Sequence, residues 1–74
     1  MLSGREKEIL NHMKTAHSPD NKFAAYEIAR EIDVPSLTVS STMRRLLSKE
    51  LVEKEKFGTF LVYSLTEKGN KISN

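Results

Sequence analysis

The chain lacks cysteine, which excludes both disulfide bonds and thiolate metal sites. It also lacks a long apolar run. Its longest uncharged apolar stretch, residues 57–65, has nine residues, whereas a helix that crosses a bilayer needs about 20. The first residues become charged at once and contain no apolar segment of the kind that directs export. These absences predict no membrane partner and a cytoplasmic location.

The length of 74 residues is enough for one domain, and we expect residues 1–74 to form it. Hydrophobic residues make up 38% and charged residues 30% of the chain, a balance typical of a folded globular protein. A core this small leaves little stability to offset strained catalytic geometry. The length therefore favours a binding module over an enzyme, and no cofactor is expected.

Positive charge is concentrated in the second half of the chain. Residues 1–35 contain five basic and six acidic side chains, whereas residues 36–74 contain seven basic and four acidic ones. The segment 36–49 contains no acidic side chain. Its charged side chains are Arg44, Arg45 and Lys49. A surface that faces phosphates needs such a local concentration of positive charge, so this segment is a candidate nucleic-acid contact.

Apolar residues recur at helical spacing near the start of the chain, which predicts a first helix over residues 4–16. Ser3 followed by Glu6 has the spacing of a capping box, in which each side chain binds a backbone N–H group of the other residue. Residues 17–22 are rich in turn formers and predict a loop.

Two further helices are predicted with a short connection between them. The first covers residues 24–32 and follows a strand of one or two residues at Phe23. The second runs from residue 37 to about residue 49, with Ser36 as its predicted N-cap. The connection of about four residues is typical of a helix-turn-helix.

After residue 51 the apolar pattern changes from helical to extended. The segments 51–57 and 60–65 predict a β-hairpin closed by a two-residue turn, with Gly58 at positive φ in a type II′ turn. The predicted cross-strand pairs are Phe57 with Phe60, Lys56 with Leu61, Lys54 with Tyr63 and Val52 with Leu65. Thr66 is expected to cap a short last helix over residues 67–72, which Gly69 weakens.

This order of elements resembles the winged-helix DNA-binding fold, in particular the MarR-like and ArsR-like repressors. The residues that carry the resemblance in the turn and third helix are Ile32, Val34, Ser36, Thr38-Val39-Ser40, Met43, Leu46 and Leu51-Val52. Residues 62–69 are similar to the end of the wing and the start of the helix that follows it.

The resemblance implies an α+β winged-helix fold and a sequence-specific transcriptional regulator that binds double-stranded DNA. Repression by occlusion of a promoter is the expected outcome, with the protein associated with the nucleoid. The family pattern also implies a homodimer on a palindrome. A monomer is the alternative, because the sequence shows no long pairing helix.

The chain departs from these families in two respects. They usually carry glycine just before the Leu-Val pair, whereas this chain has Glu50. Either Glu50 adopts the left-handed conformation at some cost or the helix ends differently. The metal ligand sets of ArsR-like sensors are also missing, and His12 and His17 do not have the i, i+4 spacing of a helical metal pair. We therefore expect no metal site.

The predicted third helix has an apolar side and a polar side. If Val39, Met43 and Leu46 face the core together with Leu47, steps of about 100° per residue turn the polar side outward. The candidate DNA-binding residues of this segment are Ser36, Leu37, Thr38, Ser40, Ser41, Arg44, Arg45 and Lys49. Short hydroxyl side chains allow close approach to the major groove, and guanidinium groups reach guanine edges or phosphates.

Different roles are expected along this polar side. Thr38, Ser41 and Arg44 should lie nearest the bases, and Leu37 could contact a thymine methyl group. Arg45 and Lys49 are expected to bind backbone phosphates, as are the hydroxyl and backbone N–H groups of Ser36. The alternative is an ordinary solvated helix surface. The position of the helix, second in a helix-turn-helix, favours DNA.

The hairpin adds Lys54 and Lys56 as candidates for contacts with the minor groove or flanking phosphates, and Lys56 is preferred because it lies nearer the tip. Glu53 and Glu55 alternate with these lysines. That alternation is also typical of a solvated edge hairpin, which is the alternative interpretation.

An apolar group of three residues, Phe57, Phe60 and Val62, should share the other face of the hairpin. Two interpretations are open. The group forms a dimer contact, or the hairpin twists so that the first helix or the end of the chain covers it.

Two other functions compete with transcriptional regulation. A winged helix can serve as a protein–protein interaction module, with the third helix against a protein partner. It can also bind RNA or a replication origin. Both remain alternatives, because a basic helix and a hairpin alone do not identify the partner.

Overall fold

The computed structural model describes residues 2–16 and 20–72. The described elements, in chain order, are α1 (Gly4–Thr15), β1 (Phe23–Ala24), α2 (Ala25–Ile32), α3 (Ser36–Ser48), β2 (Val52–Phe57), β3 (Phe60–Leu65) and α4 (Glu67–Lys71). The predicted order of elements is confirmed, and each predicted helix bound lies within one residue of the observed one. Half of the predicted loop over residues 17–22, namely residues 17–19, lies outside the described residues. None of the helices formed by the described part of the chain has the length and apolar character needed to cross a membrane.

The predicted capping box begins α1. The backbone N–H of Glu6 donates to the Ser3 hydroxyl over 3.2 Å, and the backbone N–H of Ser3 donates to the Glu6 carboxylate over 2.9 Å. These bonds satisfy two donors that a helix start leaves unpaired. They also aim the Glu6 side chain back over the start of the helix, where it is buried.

The connection between α2 and α3 is a tight turn. Asp33 ends α2 with φ of 57°, and the backbone N–H of Val34 donates to the Ala29 carbonyl. Pro35 is the N-cap of α3, and its carbonyl accepts the N–H groups of Thr38 and Val39. The prediction of Ser36 as the N-cap was therefore wrong by one residue. Proline suits this position because its fixed φ and its carbonyl oxygen are both used there.

The core lies where the three longer helices meet one face of the sheet. Its fully buried side chains come from α1, α2, α3 and the residue before β2, and they are Ile9, Leu10, Ile28, Val39, Thr42, Met43, Leu46 and Leu51. Apolar contact among them fixes the rotation of α3 about its own axis.

The sheet has the strand order β1-β3-β2, and neighbouring strands are antiparallel. All four predicted hairpin pairs occur, from Val52 opposite Leu65 to Phe57 opposite Phe60. Gly58 has φ of 61°, as the predicted turn requires. The short strand β1 pairs only with Tyr63 and Val62, so it supports the base of the hairpin and not its tip.

The C-terminus of α3 uses a left-handed residue that is not glycine. Glu50 has φ of 61°, its N–H donates to the Leu47 carbonyl, and the N–H of Leu51 donates to the Leu46 carbonyl. These two bonds form a Schellman motif, which normally has glycine at the left-handed position. Of the two alternatives for Glu50, the structure has the one in which Glu50 accepts the conformation.

Replacing Glu50 with glycine should raise the free energy of unfolding by about 0.5 to 1 kcal/mol, because glycine removes the steric cost of positive φ but adds entropy to the unfolded chain. Urea denaturation measures this change. The control is Glu53→Gly, at an exposed strand position without positive φ, which should instead destabilise the protein. A destabilised Glu50→Gly variant would contradict the assignment of strain to this residue.

The last element, α4, is held against the end of α3. The Thr66 hydroxyl accepts the N–H of Gly69 and donates to the Glu50 carbonyl over 2.7 Å. Thr66 is thus the predicted cap, and it also ties α4 to the left-handed residue of α3. Gly69 is buried on the backbone of Leu51.

Candidate nucleic-acid interface

The outward side of α3 is set by what its inward side buries. Val39, Met43 and Leu46 are inaccessible to solvent, and Leu47 is partly buried. Thr42 is also fully buried, and its hydroxyl donates to the Thr38 carbonyl over 2.8 Å. Sequence reasoning did not place Thr42 in the core. This internal bond satisfies the hydroxyl, which allows threonine to pack among apolar side chains.

The structure brings most of the predicted α3 residues to one solvent-facing surface, which we call the α3 outer face. Its exposed members are Ser36, Leu37, Ser41, Arg44 and Arg45, and its partly buried members are Thr38 and Ser40. Leu37 is 85% exposed, which is unusual for a large apolar side chain. No acidic residue occurs in α3. The α3 outer face therefore combines two arginines, several short hydroxyl side chains and one projecting leucine.

The N-terminus of α3 contributes backbone donors to this surface. Intrahelical bonding begins with the N–H groups of Thr38 and Val39, and the N–H groups of Ser36 and Leu37 precede it. Unpaired N–H groups at a helix start carry partial positive charge and suit phosphate oxygens. Ser36 is the first helical residue, so the predicted phosphate contact of its N–H group fits this position even though Ser36 is not the cap.

Lys49 forms an ion pair with a buried carboxylate. Its Nζ lies 2.7 Å from Oε2 of Glu6, a carboxylate that is 3% exposed. The hydrogen bond from Lys49, together with those from Ser3, lowers the pKa of Glu6 from 4.5 to about 2. The structure thus places the Lys49 ammonium at the contact between α1 and α3. The predicted contact of Lys49 with a phosphate stays a prediction. In the structure Lys49 has a second role, which is to neutralise the buried Glu6 carboxylate.

The hairpin, which we call the wing, presents its lysines on one face. Lys54 and Lys56 are exposed, and they lie opposite Tyr63 and Leu61. Because side chains alternate along a strand, both lysines share the face of Val52, whose side chain enters the core. The two lysines therefore lie on the helical side of the sheet, with Lys56 nearer the tip as predicted.

A third lysine, which sequence reasoning assigned to a loop, reaches the opposite face of the wing. Lys22 Nζ lies 2.8 Å from Oε1 of Glu55 and 4.6 Å from the centre of the Phe57 ring. The hydrogen bond to Glu55 raises the pKa of Lys22. The predicted strand at Phe23 could have indicated this contact. Side chains alternate between the two faces of a sheet, so pairing of β1 with β3 places Lys22 on the same face as Glu55.

The apolar group on that face remains exposed at the wing tip. Phe57 is 48% and Phe60 58% exposed, while Val62 is partly buried. The interpretation in which the first helix covers this face is therefore wrong. The Lys22 side chain lies over one face of Phe57 and leaves much of the aromatic pair accessible.

His12 has local contacts of its own. Its Nε2 lies 3.1 Å from Oε1 of Glu31, and its ring meets the edge of Phe23. His12 is thus partly buried. His17 lies outside the described residues.

Comparison with known proteins gives a family match. Residues 20–68 match the family model described as the sugar-specific transcriptional regulator TrmB, and this stretch covers more than half of the chain. It contains α2, α3 and the wing. No curated protein sequence matches the chain significantly.

Solved structures show the same fold. MepR, a transcription regulator of the Staphylococcus aureus multidrug efflux pump MepA, superposes with a TM-score of 0.82 at 20% identity over 95% of this chain and 51% of MepR. The MarR family regulator NMB1585 from Neisseria meningitidis gives 0.76 at 22% identity over 93% of this chain and 48% of its own.

A third similar structure is the homodimeric winged helix-turn-helix DNA-binding domain Mb0332 from Mycobacterium bovis, with a TM-score of 0.74 at 25% identity. The match covers 92% of this chain and 58% of that one. The chain thus spans about half of the length of each of these three structures. The predicted winged-helix fold and the resemblance to MarR-like regulators are confirmed.

Proposed function

Because this chain belongs to the TrmB family of transcriptional regulators, we propose that it binds double-stranded DNA sequence-specifically, with α3 in the major groove. The observation that carries the proposal is the α3 outer face, where Arg44 and Arg45 are exposed on a helix without acidic residues. A major groove about 12 Å wide admits an α-helix, and the short hydroxyl side chains of α3 permit a close approach.

The side chains of α3 divide into two groups by their chemistry. Arg44 can donate two hydrogen bonds to a guanine, while Thr38 and Ser41 can exchange single hydrogen bonds with base edges. Leu37 offers an apolar surface to a thymine methyl group. Arg45 and the first N–H groups of α3 bind phosphates and fix the register of the helix on the duplex.

The wing adds phosphate contacts through Lys54 and Lys56. The chief objection to this role was the alternation of these lysines with Glu53 and Glu55. The ion pair between Lys22 and Glu55 weakens the objection, because it neutralises the glutamate that is nearer the tip. The face of the wing that carries Lys54 and Lys56 contains neither glutamate, so that face is positively charged.

Bound at a promoter, a protein of this kind acts as a repressor by blocking access of polymerase to the DNA. A homodimer on a palindromic site would align two α3 helices in successive major grooves. Such a repressor acts in the cytoplasm, in association with the nucleoid. The homodimeric domain Mb0332 supports this assembly by similarity of fold.

A salt titration tests the proposal. If Arg45, Lys54 and Lys56 each neutralise one phosphate, the logarithm of affinity should fall with the logarithm of salt concentration at a slope of about −3 per chain. Fluorescence anisotropy with labelled random-sequence and library-selected duplexes measures it. A slope near zero would favour a protein–protein interaction module, and preference for structured RNA or single strands over duplex would favour an RNA or replication-origin factor.

Three arginine variants separate base contacts from phosphate contacts. Arg44→Ala should cost about 1 to 3 kcal/mol on the selected duplex and much less on random sequence, and Arg44→Lys should not restore the loss. Arg45→Ala should weaken binding to all duplexes and reduce the salt slope by about 1. Arg30→Ala, an exposed position on α2, is the matched control. Rescue by Arg44→Lys would reassign Arg44 to a phosphate.

A further inference from the structure

The wing projects well beyond the core of the protein. All residues from Glu53 to Leu61 are exposed. Each wing strand has six residues, and a strand rises about 3.3 Å per residue, so the strands are about 20 Å long. Because β1 pairs only with Tyr63 and Val62, the outer half of the wing is a two-stranded ribbon. A ribbon of this kind is thin enough to approach a DNA groove edge-on.

The tip of this ribbon is apolar. Phe57 and Phe60 form the last cross-strand pair before the turn, and about half of each side chain is exposed. No charged residue occurs from residue 57 to residue 66. This exposed aromatic pair does not belong to the hydrophobic core. Contiguous exposed apolar surface is typical of a binding site.

We propose that this pair, Phe57 and Phe60, is an apolar wedge that enters the minor groove of the bound duplex, partly unstacks one base step and bends the DNA. The inference rests on the proposed DNA-binding function. Apolar side chains inserted between base pairs from the minor groove bend a duplex toward the major groove by about 20 to 90°. Pyrimidine–purine steps open most easily, so such a step is expected beneath the wing.

The charges around the pair favour DNA over a second copy of the chain. Lys54 and Lys56 share one face of the wing, and Glu53 and Glu55 lie on the other face. Lys54 and Lys56 flank the apolar tip on one face, and Lys22 neutralises Glu55 on the other. The positively charged lysine face is attracted by the phosphates that border a groove, whereas two such faces repel each other.

The size of the apolar surface also favours DNA over a second copy of the chain. A stable protein dimer buries about 800 Å² on each partner. Two half-exposed phenylalanine side chains and the partly buried Val62 provide only a small part of that area. Inserted between bases, the same two rings would be almost fully covered. The area is therefore sufficient for a wedge and insufficient for a dimer interface.

Fluorescence energy transfer between the ends of a library-selected duplex of about 30 base pairs tests the inference. The wild-type protein should shorten the distance between the ends. The double variant Phe57→Ala/Phe60→Ala should lose more than half of this bend, and its affinity should fall at least about fivefold, the loss expected for one aromatic–base stack. Phe57→Leu/Phe60→Leu keeps an apolar tip and should retain most of the bend.

Leu61→Ala is the matched control, since Leu61 is similarly exposed at the tip but lies on the lysine face. It should leave the bend unchanged. All wing variants should keep a midpoint of urea denaturation close to that of the wild type, because the replaced side chains are about half exposed and lie outside the core.

Three results would overturn the wedge. The first would be that the wild-type protein binds the duplex without bending it. The second would be that the double alanine variant bends the duplex as strongly as the wild type. The third would be that the wild type is a dimer without DNA and the double alanine variant is a monomer. The last result would assign the pair to contact between two copies. A wild-type protein that binds no duplex at all would instead refute the proposed function itself.

Discussion

Replacing Gly69 with alanine is expected to lower the free energy of unfolding by about 3 kcal/mol, at the upper end of the usual cost of overpacking. A Cβ atom at this position would overlap the Leu51 carbonyl oxygen and lie 2.9 Å from its carbon. Both atoms belong to backbone, which cannot rotate away as a side chain can. The added methyl group must therefore push α4 off the core and break the bonds that Thr66 makes at the start of α4.

Gly4→Ala is the matched control for this variant. Gly4 is also a helical glycine, but a Cβ there would meet no atom within 4 Å. Alanine at this position should leave stability unchanged or raise it by up to about 1 kcal/mol. Urea denaturation followed by circular dichroism measures both variants. Equal stability of Gly69→Ala and the wild type would show that α4 does not pack as the structure describes.

Acid should lower the free energy of unfolding through Glu6, the buried carboxylate bound to Lys49. Its pKa in the folded protein is about 2, below the ordinary value of 4.5. A lowered pKa means that the ion pair stabilises the fold fully above about pH 4.5 and that this stability is lost as the pH falls toward 2. After allowance for water around Lys49, whose side chain is 39% exposed, the loss should be about 2 to 3 kcal/mol.

Glu6→Gln should therefore lower the free energy of unfolding by a similar amount at pH 7 and flatten its dependence on pH between about 4.5 and 2. Denaturation at a series of pH values measures this dependence. Glu8→Gln provides the comparison, because Glu8 is on the same helix and paired with Arg5 but is exposed. It should behave as the wild type does. If Glu6→Gln kept the full acid dependence, another carboxylate would be responsible.

The hairpin shows how much local sequence can determine. Its register was predicted correctly for all four pairs, because a two-residue turn with glycine at its first position leaves one way to align the strands. The same local reasoning predicted the capping box at Ser3 and the cap at Thr66. Each of these features depends on residues close together in the chain.

Contacts between distant residues were not predictable in the same way. Glu6 and Lys49 are 43 positions apart, and only the packing of α1 on α3 brings them together. Gly69 was interpreted as a weak point in a short helix, but its role is to permit contact with Leu51. The preference of serine for N-cap positions led to the wrong prediction that Ser36 caps α3. The N-cap is Pro35, whose carbonyl accepts the first N–H groups of α3.

The candidate interface was predictable on α3 and less so on the wing. Helical periodicity identified the α3 outer face because the apolar side of that helix is continuous. The wing depends on tertiary structure, since the effect of Glu55 on its charge is decided by Lys22, which is 33 positions earlier in the sequence. Alternation along the strand showed which side chains share a face but could not show what lies beside them.

Leu51 joins three elements through one residue. Its N–H closes α3, its carbonyl accepts the N–H of Thr66, and Gly69 packs against the same carbonyl. The number of residues between α3 and the wing is therefore fixed. Inserting or deleting one residue between α3 and β2 would shift every side chain of β2 to the opposite face of the wing. Phe57 would then face the helices.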